Sequence, residues 1–394
     1  MKKQFGAAFL LAGTAIGSGM ISLPMVLAKF GIFNSCLLMI AFAALTYFTA
    51  IIRSELNLNC HAEATLSEVG KAFNCPTAGK CGDLLLKLLS FALMSAYIFG
   101  GASIIKSLIG DSIPIAGVVV IFSAAIALMF LLASDFIVHV NKMLFFTMFC
   151  AFIILVLTLL VQTPIKFIPN QAGNILINQW TTLVPIIFTS FGFQGSIHSM
   201  TKFVKNDERM IKNACLWGSL IPAFIYMIWT AAVLLVVSNT DAEFFQQMLD
   251  GKATDVGKLV SILSGATSSE FIQCIIWIVS SLALITSIFG VGLALLDIFQ
   301  REFHVHRTNS IALIVFLPAI ISLMISNAFI KILNVSGIIL AMIAIIVPIV
   351  ISWNMQKIQK EKCKMLIKSN FMQLSVLACG IGIIILGILD CMQL

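Results

Sequence analysis

Apolar runs of about 17–25 residues, the length that crosses a bilayer's hydrocarbon core, recur along this chain with short polar segments between them. Lipid offers no water to an exposed peptide group, so such runs must be helices whose backbone bonds close internally. Composition agrees. Of 394 residues 60% are hydrophobic and 10% charged, outside the range of soluble globular domains. The expectation is an all-α, polytopic protein of the lipid bilayer with about eleven transmembrane helices.

The net charge of +7 does not call for a nucleic-acid partner. With the N-terminus in the cytoplasm, most of the 24 Lys and Arg fall on cytoplasmic segments, and an odd helix count leaves the C-terminus outside. Cys60, His61, Cys75 and Cys81 match no zinc spacing and read as reduced loop thiols, so no metal and no cofactor are expected. The spans hold no set of titratable or nucleophilic side chains that an enzyme would need.

Two runs are interrupted. The first, Phe5 to Ala28, contains Gly13-Thr14-Ala15-Ile16-Gly17-Ser18-Gly19; the second, from near Thr182, contains Thr189-Ser190-Phe191-Gly192-Phe193-Gln194-Gly195. Glycine at that density disfavours a continuous helix, and a span unwinds only where the freed groups face protein, ligand or a water-filled cavity. The first stretch also has the look of a signal peptide, or of a small-residue packing surface. A matching break opening the other half of the chain points instead to a secondary transporter, with a channel or uncoupled facilitator as the alternative. Five spans per half inverts the second half, giving repeats at 1–161 and 180–351 and an extra helix at 371–390. Arg53 to Gly82 reads as a polar cytoplasmic loop. The amphipathic segment with Phe244, Met248, Leu259 and Leu263 reads as a lid or a plain surface helix.

Gly13–Met20 with Leu23-Pro24 resembles the first-helix signature of the aromatic amino acid permeases of bacterial inner membranes, the family of tyrosine-specific transport proteins and tryptophan permeases. Phe188–Ser196 is similar to their sixth-helix signature. Ala96-Tyr97-Ile98, Asn141–Phe145 and Thr286–Leu293 with Asp297 also match, so the resemblance covers nearly the whole chain. It implies a LeuT-like fold of the amino acid–polyamine superfamily. It also implies proton-coupled uptake of an aromatic amino acid, tyrosine first and tryptophan second. Another neutral amino acid, or sodium as the driving ion, stays open.

For such a zwitterion, the amides of Gly17, Ser18 and Gly19 suit the carboxylate. Carbonyls from Ala12 through Thr14 and Ala15, and from Thr189, Ser190 and Phe191 before Gly192, suit the ammonium. Phe191 and Phe193 either stack on an aromatic substrate or simply pack, and Gln194 is placed to bond a ring hydroxyl or indole N–H. Tyr97, carried over from the family's third helix, gates the site or bonds the carboxylate. Thr286 and Ser287, with the Ala12 and Ile16 carbonyls, correspond to the region where sodium-driven relatives of this fold hold an ion. Asp297, Lys142 and His198 read as interfacial anchors, with proton carrier as the other reading.

Overall fold

The structure is a computed structural model and describes residues 2–17, 19–60, 64–162, 177–204, 207–325, 327–358 and 369–392. Every regular element among them is a helix. The first span is split into α1 (Lys2–Ala15) and α2 (Gly19–Leu27), and α3 (Gly31–Leu58) returns. A short α4 (Leu66–Ala72) precedes α5 (Pro76–Ile109), α6 (Ile115–Leu131) and α7 (Ser134–Gln162). The second interrupted span is α8 (Ile177–Ser190) and α9 (Ile197–Phe203), followed by α10 (Glu208–Thr240). The short α11 (Ala242–Leu249) and α12 (Val256–Gly265) lead to α13 (Glu270–Arg301) and α14 (Arg307–Met324). The chain then runs through α15 (Ala328–Ala341), a π-helical step at Met342–Ile346, α16 (Val347–Ile358) and α17 (Asn370–Met392).

Eight stretches among the described residues are long and apolar enough to span a membrane. One of these, Gly19–Leu58, joins α2 to α3; with α2 assigned to the interrupted first span, and with the interrupted α8–α9 and the 17-residue α6, the expected set is complete. Phe33, Leu128, Phe146, Phe224 and Phe271 face outward, a surface suited to lipid and not to water.

Proline explains two of the ties within the bundle. Pro24 in α2 and Pro185 in α8 lack an N–H, so the carbonyls four residues earlier, Met20 and Thr181, lose their helical donor. In hydrocarbon an unmet carbonyl costs on the order of several kcal/mol. Both are met by side chains: the Trp229 indole N–H of α10 donates to Met20 O, and Asn334 Nδ2 of α15 donates to Thr181 O at 3.2 Å. The same Nδ2 reaches Asp390 of α17 at 2.8 Å, and Asp390 also accepts from the Thr181 and Thr182 hydroxyls. Helices α8 and α15 are in backbone contact here, since a Cβ on Gly337 would lie 2.2 Å from the Pro185 carbonyl oxygen.

Arg53 to Gly82 is not the loop its polarity suggested. Arg53, Glu55 and Asn57 are buried on the last turns of α3, and α4 and the first turns of α5 fill the remainder. The polar groups are internalised because they answer backbone. Arg53 Nη2 donates to Ala64 O at 3.0 Å, and Asp83 accepts from the Leu66 and Ser67 amides at 3.1 Å each. Thr65 and Glu68 form a reciprocal cap on α4. His61 lies outside the described residues. The segment after α10 is no free surface helix either: Phe244, Met248, Val256, Leu259, Val260 and Leu263 are buried, and Ser103 of α5 donates to Asp255 at 2.9 Å.

Asn334→Ala removes the donor to Thr181 O and one of Asp390's partners. It is expected to destabilise the protein by about 1–3 kcal/mol, the cost of an orphaned buried acceptor. A lower thermal midpoint in detergent checks this.

Candidate functional site

Helical bonding in the first span closes with Ile16 N donating to Ala12 O at 2.9 Å and resumes with Met20 N donating to Gly17 O at 3.1 Å. Between them Ile16 and Gly17 are non-helical; Ser18 lies outside the described residues. In the second span α8 tightens as Gly192 N reaches Thr189 O at 2.9 Å, and a short 3-10 turn at Gln194–Ser196 precedes α9. The breaks adjoin: the Thr14 and Ser196 hydroxyls bond each other at 3.0 Å.

Tyr226, in the middle of α10, joins them more deeply. Its hydroxyl is fully buried, 2.8 Å from Ala15 O in the first break and 2.9 Å from Ser190 O in the second. The Phe191 ring meets the Tyr226 ring edge-on, centroids 5.4 Å apart at 85°. Two glycines make this approach feasible. A Cβ on Gly19 would lie 2.5 Å from the Tyr226 hydroxyl and 2.8 Å from Ser190 Cβ, and one on Gly17 would lie 2.4 Å from Ser287 Oγ of α13. Substituents from α8, α10 and α13 therefore converge where the first span is unwound.

The sequence matches the profile of the tryptophan/tyrosine permease family over residues 1–387. This chain belongs to that family. Tyrosine-specific transport system 1 of Haemophilus influenzae is 30% identical over 363 residues, 91% of the permease and 89% of that protein. Glutamine transporter 2 of Aliivibrio fischeri is 29% identical over 374 residues, 91% of each chain. The crystal structure of MhsT in complex with L-phenylalanine matches with a TM-score of 0.64 and 14% identity, over 98% of the permease and 97% of that chain. That likeness is one of fold, and the LeuT-like fold is that of the permease.

The permease brings together most of the residues the sequence singled out. Ala15 and Ser190 present their carbonyls to one hydroxyl, with Gly17 and Gly19 beside it. Tyr97 of α5 is buried. Thr189 lies 2.9 Å from Pro185 O and 3.1 Å from Leu333 O, so its hydroxyl secures α8 to α15. The two phenylalanines part company. Phe191 faces Tyr226, whereas Phe193 is buried in a separate apolar cluster with Ala7, Leu11, Ala50 and Ile197. Gln194 Nε2 donates to Thr49 at 3.0 Å, and its Oε1 is buried without a donor among the described residues.

Of the ion-coupling candidates, Ser287 stands against the break. Its proton is committed to Ala283 O at 2.8 Å, so its lone pairs are available as acceptors. Thr286 bonds back to Leu282 O at 2.8 Å, and the Ala12 carbonyl is occupied by Ile16 N. Asp297 and Lys142 are exposed, and the His198 side chain lies outside the description. Tyr226 is the residue that sequence reasoning passed over. Its signal was a hydroxyl in mid-span, on one of only three tyrosines.

Gly17→Ala is expected to lower the thermal midpoint, because its Cβ would overlap Ser287 Oγ. Adding Ser287→Ala should restore it, since the next atom is then Ser287 Cβ at 3.6 Å, an ordinary contact. Melting curves of the single and double variants check this.

Proposed function

We propose that this permease imports an aromatic amino acid, tyrosine first and tryptophan next, by proton symport and alternating access. It acts in the bacterial inner membrane with its N-terminus in the cytoplasm and its C-terminus outside. The observation that carries the reading is the meeting of Ala15 O and Ser190 O, from two interrupted spans, at one buried point. Paired backbone acceptors at broken helices are what an amino acid's ammonium requires, and the start of α2 at Gly19 turns helix amides toward its carboxylate. No charged side chain is needed for either end. Phe191 beside the junction and the undonated Gln194 Oε1 suit a ring with a hydroxyl or N–H.

The two halves, 1–161 and 180–351, act as inverted repeats that rock about this junction, with α17 outside them. Proton symport follows the family resemblance; Ser287 is the group at which a sodium dependence would arise. A second reading has its own support, since a glutamine transporter is nearly as similar as a tyrosine transporter and Phe193 is engaged in packing. It makes the substrate a polar neutral amino acid, whose amide N–H would answer Gln194.

Proteoliposomes under an imposed pH gradient, with and without sodium, should accumulate labelled tyrosine, and unlabelled tryptophan should compete while glutamine should not. Accumulation of glutamine in preference would establish the second reading. No gradient-driven accumulation of any amino acid would defeat both.

A further inference from the structure

Tyr226 has a place in the cycle that packing alone does not explain. A phenolic hydroxyl carries one proton, yet this one faces two carbonyl oxygens, Ala15 O at 2.8 Å and Ser190 O at 2.9 Å. Both acceptors belong to the breaks where the proposed amino acid's ammonium binds. We infer that Tyr226 is a surrogate for that ammonium: its hydroxyl occupies the two carbonyls while the carrier is empty and yields them when substrate enters. The inference rests on the reading of this junction as an amino acid site.

The geometry fixes the hydroxyl in that role. The ring is fully buried and held edge-on by Phe191. Trp229, on the next turn of α10, is tied to Met20 O, so α10 and α2 are held in register with the hydroxyl between the breaks. Gly19 leaves room for the hydroxyl between the breaks, since any side chain there would begin 2.5 Å from it. The hydroxyl is neutral and serves two acceptors with a single proton. An ammonium brings three donors and a charge, and charge-assisted bonds are roughly twice as strong as neutral ones, so substrate displaces the surrogate.

The consequence concerns the empty carrier. After releasing its cargo a symporter must reorient unloaded, and two carbonyls left unmet in the membrane would oppose the closing of the breaks on each other. The Tyr226 hydroxyl removes that opposition. It is a positioning residue for the return step, and no step of the loaded carrier depends on it.

Tyr226→Phe keeps the ring and its contact with Phe191 and deletes only the hydroxyl. In proteoliposomes, using whichever amino acid the wild type exchanges, net uptake into empty vesicles should fall at least about tenfold while exchange against the same internal amino acid stays within about threefold of wild type. Equilibrium binding should be unchanged or tighter, because a competitor for the carbonyls is gone. A parallel loss of net uptake and exchange, no loss of either, or clearly weaker binding would overturn the inference, the last by making the hydroxyl a direct substrate ligand. Should the variant not fold, the wild type bears the test: its net uptake should run within about threefold of exchange, and exchange faster by tenfold or more would contradict an assisted return. Failure of the wild type to exchange any amino acid would defeat the transport reading itself. The outcomes in Tyr226→Phe touch only the surrogate.

Discussion

A peptide group in hydrocarbon has to be met by another part of the protein, because no water is there to meet it. Four carbonyls released where helix is interrupted in this permease are matched by specific answers. The carbonyls freed by Pro24 and Pro185 are taken by Trp229 and Asn334. Those freed at the two breaks turn toward Tyr226. The first pair of answers are permanent and structural. The second is a single hydroxyl shared between two carbonyls.

The same constraint sets how the helices are tied together. Helix α8 is tied to α15 and α17 by Asp390 and Asn334 at one end, by the backbone contact of Pro185 with Gly337 in the middle, and by Thr189 on Leu333 O towards its break. Arg307 at the start of α14 donates to Phe130 O and Leu132 O at the end of α6, joining two other spans by the same device. Beside these ties, the junction of the two breaks is joined by side-chain hydroxyls, Tyr226 on Ala15 O and Ser190 O and Thr14 with Ser196.

Much of this is legible in the sequence. Apolar run lengths located the spans, and glycine density located both breaks, because each follows from the cost of unmet peptide groups. Partners distant in sequence were not legible. Arg53, Glu55 and Asn57 looked like loop residues since nothing local shows that Arg53 would answer Ala64 O or that the last turns of α3 would be buried, although the Thr65–Glu68 capping pair and Pro76 did mark helix starts there. Phe191 and Phe193 are two residues apart and indistinguishable by type. Only the turn between α8 and α9 sends one to Tyr226 and the other to an apolar cluster. Tyr226 was hidden for the same reason, its acceptors being 211 and 36 residues away.

The central claim is that the backbone at the two breaks reads both charged ends of an amino acid. Equilibrium binding to the purified permease tests it directly, comparing the preferred amino acid with its analogue lacking the ammonium and its analogue lacking the carboxylate. Loss of either group should weaken binding at least about tenfold, since buried acceptors or donors are then left unpaired. An analogue that binds as tightly as the parent amino acid would contradict the account for the end it lacks.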